Sequence, residues 1–158
     1  MPIYLQLDGI PGDATHETHK NWMDIETLHW HVSRNMNTAA GSTANREASE
    51  PTVSEVVITK VSDSSSTKLF AEACTGRTGK NTVIHMVTTG NPGDTYIEYK
   101  LFNTLVSNYS VDTSGDRPVE TIHLNFTKME VKYIPHDDQH RPKSPMIASY
   151  DLTTTKAG

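Results

Sequence analysis

Six of the eight histidines fall in close pairs, His16 with His19, His29 with His31, and His136 with His140. Imidazole nitrogen is the commonest metal donor, and residues two apart on a strand share a face with their Cα atoms roughly 7 Å apart. His29 and His31 could therefore hold a zinc ion if a third ligand arrived from elsewhere in the fold. The same spacing suits two histidines on the polar face of an ordinary strand. "HETH" at His16–His19 lacks the helical i, i+4 spacing of the zincin motif, so these read as loop histidines. His136 and His140 flank Asp137 and Asp138 between Pro135 and Pro142, a segment unsuited to a rigid site. Carboxylates are the other candidates. Glu47, Glu50 and Glu55, beside Arg46, Ser49 and Ser54, could supply the acid and base of glycoside hydrolysis, but that chemistry needs two carboxyls held at a fixed separation. Glu47 and Glu50 lie in a stretch with no apolar periodicity, where a contact surface is the competing reading. Cys74 has no helix N-terminus to stabilise a thiolate and is expected to pack as a small apolar residue. There is no Gly-x-Ser-x-Gly elbow and no glycine-rich phosphate loop.

The elements that must position these residues are mostly strands. Ile3, Leu5 and Leu7 alternate with Tyr4, Gln6 and Asp8 before a turn at Gly9–Asp13. A second extended segment runs from about Trp22 to Val32, with Leu28, Trp30 and Val32 opposite His29 and His31. Residues 34–51 read as a long extended loop, longer than a compact fold leaves unstructured without reason. Val53–Val61 is a strand. "SSSTKLFAEACTG" is the one good helix, with serines to cap it, Leu69, Phe70, Ala73 and Cys74 as its apolar stripe, and Gly76 as a left-handed stop. Thr82–Thr88, Thr95–Tyr109, Val119–Tyr133 and Met146–Leu152 are the remaining strands, separated by "TTGNPGD", "DTSGDRP" and "PHDDQHRPKSP". In the two longest, Ile97, Tyr99, Leu101 and Leu105 oppose Glu98, Lys100 and Thr104, and Ile122, Leu124 and Phe126 oppose Thr121, His123 and Asn125. The expected fold is mainly β: an antiparallel β-barrel of about seven strands with one flanking α-helix, a single domain over residues 1–158.

Composition narrows the function. With 14 Lys and Arg against 19 Asp and Glu, a formal charge of −5 and no basic stripe, nucleic acid is an unsuitable partner. The single cysteine excludes an intramolecular disulfide. No stretch approaches the roughly 18 apolar residues of a membrane span, and "MPIYLQLDGIPGD" lacks the pattern of a signal peptide, so the chain is expected to start in the cytoplasm without membrane insertion. No cofactor motif is present.

Five segments in order, "IYLQLDGIPGD", "HKNW", "REASEP" followed by "VSEVVITK", "STKLFAEACTG" and "DRPVETIHLNFTKMEVKY", together resemble the Hcp (haemolysin-coregulated) proteins, the tail-tube subunits of bacterial type VI secretion systems. That resemblance spans nearly the whole chain and implies a barrel with one helix that assembles into homohexameric rings stacked as a hollow tube. It further implies a structural role without catalysis, a spike protein at the tube tip, a surrounding contractile sheath, small effector proteins carried in the lumen, and secretion on sheath contraction into the medium or a target cell. On this picture the 34–51 loop is an arm, and Arg46, Glu47, Ser49 and Glu50 meet a neighbouring subunit or ring. Thr121, His123 and Asn125 are candidates to line the lumen. The tail "SYDLTTTKAG" is expected to be too short for an added toxin domain. The alternatives are a monomeric β-barrel binding protein and a metal-dependent enzyme using His29 and His31.

Overall fold

Alternating apolar residues build the extended elements of this chain, and chain reversals and bulges decide where each one bends. The computed structural model describes residues 1–38, 46–90 and 92–158. Its strands are β1 (Ile3–Leu7), β2 (Met23–Ile25), β3 (Thr27–His29), β4 (Val32–Ser33), β5 (Met36–Thr38), β6 (Arg46–Ala48), β7 (Thr52–Val53), β8 (Val56–Val61), β9 (Lys80–Val87), β10 (Thr95–Asp112), β11 (Val119–Asn125), β12 (Lys128–Tyr133), β13 (Met146–Asp151) and β14 (Lys156–Ala157), with helix α1 (Ser66–Thr75) between β8 and β9. Every pairing is antiparallel, and the main path runs β14-β13-β12-β10-β11-β8-β3, while β1 pairs with β2 and β9 and β9 pairs with β10.

The long strand β10 organises the rest. Ile97–Phe102 pairs with β12 on one side and with β9 on the other, whereas Leu105–Asp112 pairs with β11. The expected single strand Val119–Tyr133 is thus one continuous partner of β10, cut at Phe126–Thr127 into β11 and β12 where the hairpin turns a corner. Asn103 at this corner has φ 57°, and the β9 register slips between Leu101 and Thr104. The extra residue reverses the alternation: Thr104 is buried and Leu105 only half-buried, the opposite of the expected faces. Gly79 accommodates the corner, because a Cβ there would sit 1.7 Å from Asn103 Oδ1.

The Trp22–Val32 segment is likewise broken. β2 joins β1, β3 joins β8, and between them Glu26 N–H donates to the Thr59 carbonyl at 2.8 Å. The sheet curls back through this join into a barrel-like form without an uninterrupted closing strand. Inside it lies one cluster that includes Leu5, Met23, Ile58, Ile84, Leu101 and Ile122, all fully or almost fully buried. Each such side chain contributes roughly 1.5–3 kcal/mol by leaving water.

Helix α1 covers one face with Leu69 and, less deeply, Ala73. Phe70 and Cys74 are exposed instead of packed, because at 100° per residue they turn away from the Leu69–Ala73 line. Asp63 caps the helix: its carboxylate accepts from Ser65 N–H at 2.8 Å, and its own N–H donates to Ser66 Oγ at 3.0 Å. Gly76 leaves the helix in an extended conformation, φ −63° and ψ 125°, not a left-handed one.

Candidate functional site

Residues 32–38 and 46–53 form a ribbon of two short ladders. Val32 and Ser33 pair with Val53 and Thr52, and farther out Met36, Asn37 and Thr38 pair with Ala48, Glu47 and Arg46. Within the stretch expected as a loop, residues 36–38 and 46–48 therefore pair with each other, which polar sequence without apolar alternation does not reveal. Serines seal the interruptions. His31 N–H donates to Ser54 Oγ at 2.8 Å and Ser54 N–H to the His31 carbonyl at 2.8 Å; Asn35 N–H donates to Ser49 Oγ at 3.1 Å and Ser49 N–H to the Asn35 carbonyl at 2.9 Å. Glu50 is exposed, and the side chains of Arg46 and Glu47 lie outside the described residues.

Apolar surface gathers around this arm. Val32 is 55% and Met36 51% exposed, so Val32 departs from the buried face expected for it. An apolar groove of about 220 Å³ separates the arm base, with Trp30, Val32, Pro51 and Val53, from β12 and β13, with Met129, Val131, Ala148 and Leu152. The outer end of the same sheet shows Tyr133, Met146 and Ile147, the last two 67% and 57% exposed. β14, two residues long, pairs with β13 alone.

Farther along the same sheet Thr121, His123 and Asn125 share one face of β11, while Glu120, Ile122 and Leu124 are buried on the other. Glu55 joins that outer face: Ser107 Oγ donates to its carboxylate at 2.5 Å, and His123 Nδ1 lies 3.7 Å away. His29 and His31 do come together, with ring centroids 5.9 Å apart, both exposed. Among the described residues no group of three or more His, Cys, Asp or Glu is placed to hold a metal ion. The His136–His140 loop is more organised than its prolines imply, since Asp137 accepts from Gln139 N–H, Arg141 N–H and Arg141 Nε–H, all at 2.9 Å. The Arg141 backbone bond first, then the others, hold its carboxyl below the usual carboxylate range.

Several solved proteins share this overall chain trace. A sequence model described as "Type VI secretion system effector, Hcp" matches residues 4–133. The chain belongs to the Hcp family. Among solved structures similar to this Hcp-family chain, one titled as a type six secretion system protein superposes with a TM-score of 0.91 at 24% identity, covering 99% of each chain. Hcp1 from Salmonella typhimurium gives 0.81 at 22% identity over 99% of this chain and 98% of that one. A type VI secretion system effector from Yersinia pestis gives 0.76 at 21% identity over 94% and 98%. A search of curated proteins returns no significant match. Family membership places the chain in type VI secretion, and no helix among the described residues is long and apolar enough to cross a membrane.

Two polar clusters in this Hcp-family fold escaped the sequence reading. In the first, the fully buried Lys60 Nζ lies 2.9 Å from the equally buried Glu120 Oε1 and 2.9 Å from Asp63 Oδ1. Ser62 Oγ and Tyr109 OH also donate to Glu120, at 3.0 and 2.5 Å. Burial alone would raise the Glu120 carboxyl, but bonds from Ser66, Tyr109 and Lys60, with the Lys60 charge, hold it below its usual value. Tyr109 is pushed up to about 12 by burial and by its bond to Glu120. The network fastens β8 and β11 to the start of α1. The signal in the sequence was Lys60 and Glu120 each falling on the buried side of an alternating strand. In the second, His16 and His19 join His85 and Glu98 beneath Tyr4 and Trp22. Antiparallel pairing of β9 with β10 sets His85 opposite Glu98, and no local pattern announces it.

Proposed function

We propose that this protein is a ring-forming subunit of a type VI tail tube: hexameric rings, built from the whole chain as a single Hcp-like domain, stack into a hollow conduit. One observation carries the reading beyond family membership. The large apolar side chains left on the surface include Val32 and Met36 on the arm and Tyr133, Met146 and Ile147 at the sheet end, with an apolar groove between. Patches of this kind are costly unless a partner covers them, and a cyclic ring covers two different patches of each subunit with one repeated interface. The arm, including Arg46, Glu47, Ser49 and Glu50, reaches a neighbouring subunit or ring; Thr121, His123 and Asn125 face the lumen. Stacking contacts act many times along a tube, so each can be weak.

The role is architectural, with no reaction catalysed. A spike protein caps the tube, a contractile sheath surrounds it, small effectors ride inside, and the subunit leaves the cell with them. Light scattering on the purified protein, with negative-stain imaging of the same peak, tests the assembly. A hexamer mass with annular particles is expected. A monomer at every concentration overturns the reading in favour of a stand-alone β-barrel binder.

A further inference from the structure

His16, His19, His85 and Glu98 form a string of hydrogen bonds across three parts of the chain. Glu98 Oε2 lies 2.6 Å from His85 Nε2, His85 Nδ1 2.8 Å from His19 Nε2, and His19 Nδ1 2.9 Å from His16 Nδ1. His16 Nε2 then lies 2.6 Å from the Pro92 carbonyl oxygen. His19 is 3% exposed and its ring stacks on Tyr4, with centroids 4.7 Å apart.

Each contact in such a string needs one proton. An ionised carboxylate and a carbonyl only accept, so a ring N–H must donate at both ends, and each of the two nitrogen–nitrogen contacts needs a proton of its own. Four contacts thus require four ring protons, whereas three neutral imidazoles bring three. Thr18 Oγ, 3.0 Å from His19 Nδ1 and 3.3 Å from His16 Nδ1, has a single proton and can serve only one of them. The neutral string is one proton short, and two lone pairs face each other at hydrogen-bond distance. One added proton completes it. Placed on His85 it makes both inter-ring bonds run toward His16; placed on His16 it makes both run toward His85.

We propose that these three histidines are a proton-binding site that takes up one proton as a unit, and that this proton locks the His16–Trp22 segment and Pro92 onto β9 and β10. The surroundings fit an outer ring as its resting place. Burial first, then the charges of His85 and His16, push the middle ring of His19 down to about 4. Glu98 of β10 supplies the negative partner, its second oxygen without a hydrogen bond among the described residues and 3.7 Å from Lys100 Nζ. Asp24 of β2 is the other charge acting near His16, and Tyr4 of β1 the remaining titratable neighbour. Trp22 packs on both rings, 4.7 Å from His19 and 4.8 Å from His85, so loss of the proton loosens the segment it ends. The lock is closed on the acid side and opens as pH rises.

The test counts protons. In the full-length protein labelled with ¹⁵N-histidine, ring-nitrogen shifts distinguish protonated from bare nitrogens, and difference spectra of His16→Gln, His19→Gln and His85→Gln assign the three rings. Four of their six nitrogens are expected to be protonated on the acid side of a single step, and three beyond it. Hydrogen exchange of the 14–22 segment, corrected for its intrinsic pH dependence, is expected to accelerate with the same midpoint. Glu98→Gln, which keeps a hydrogen-bonding group but removes the charge, is expected to lower proton affinity about tenfold or more. Three protonated nitrogens at every pH, independent titration of the rings, or a midpoint unmoved in a folded Glu98→Gln variant overturns the proposal. The count on the unsubstituted protein decides the matter even where a variant does not fold.

Discussion

Replacing Lys60 with methionine keeps the aliphatic stem but deletes the ammonium that faces Glu120, Asp63 and the Val61 carbonyl, at 2.9, 2.9 and 3.0 Å. Glu120 has no exposed surface, and Asp63 little. A buried pair broken on one side costs about 3–5 kcal/mol, mostly from the stranded charge, whereas removing both partners is close to neutral. Ser62 and Tyr109 still donate to Glu120, so the lower half of that range, about 3 kcal/mol, is the better expectation. For a chain of this length that corresponds to a melting temperature lower by roughly 6–12 °C. Lys60→Met/Glu120→Leu is expected to recover at least half of the loss, a coupling of about 1.5 kcal/mol or more. Urea denaturation followed by circular dichroism, at fixed protomer concentration so that assembly does not contribute unequally, measures all four corners of the cycle. The acid side gives a second check. The Glu120 carboxyl is held low when folded, so its stabilising effect is present above the ordinary carboxylate range and disappears as pH falls through the lowered value. The penalty of Lys60→Met therefore shrinks as pH falls below the ordinary carboxylate range. A loss below about 1 kcal/mol at neutral pH, or a double variant as unstable as the sum of the singles, would refute the argument.

Other consequences concern assembly, pH and backbone geometry. Arg46→Ala/Glu47→Ala/Glu50→Ala is expected to weaken rings or tubes in negative stain while leaving the circular dichroism unchanged; intact tubes would sink the contact role of the arm. Ile147→Lys, at a side chain 57% exposed, is expected to shift the light-scattering mass toward monomer without lowering the monomer's stability. Beyond the one proton the string takes up, His19, pushed down to about 4, stays neutral when folded while the unfolded residue charges near pH 6.5, so stability is expected to fall on acidification from 6.5 toward 4. The loss is about 3 kcal/mol at most, read from urea denaturation at stepped pH. Gly79→Ala is expected to cost about 1–3 kcal/mol by thermal melting, because the added methyl would meet the Asn103 side chain at 1.7 Å and its Cα at 2.7 Å. An unchanged melting temperature would show that the corner relaxes freely.

Where one face of a strand meets the core, the period of two was enough: Ile3, Leu5 and Leu7, Val56 and Ile58, and Ile122 and Leu124 are all buried as their alternation requires. The helix's place was legible too, although Phe70 and Cys74 face outward and Gly76 is extended instead of left-handed, and five ordered segments sufficed to indicate the family. What failed did so at corners. A single slipped residue near Asn103 exchanged the faces of Thr104 and Leu105, and a bulge of that kind depends on how β9 and β12 fit the two sides of β10. The arm was read as irregular because its ladders satisfy backbone groups with almost no apolar signature.

By itself the sequence determined the fold class, the position of the helix and the family, because each rests on local periodicity or ordered motifs. The tertiary structure alone decided which polar groups meet. Glu120 meets Lys60 and Glu98 meets His85 through antiparallel registers that bring residues 60 and 13 apart within hydrogen-bond distance, and His19 reaches His85 from the turn before β2. Register is a property of two strands together, so neither strand's own pattern encodes the partner that its buried charge will find.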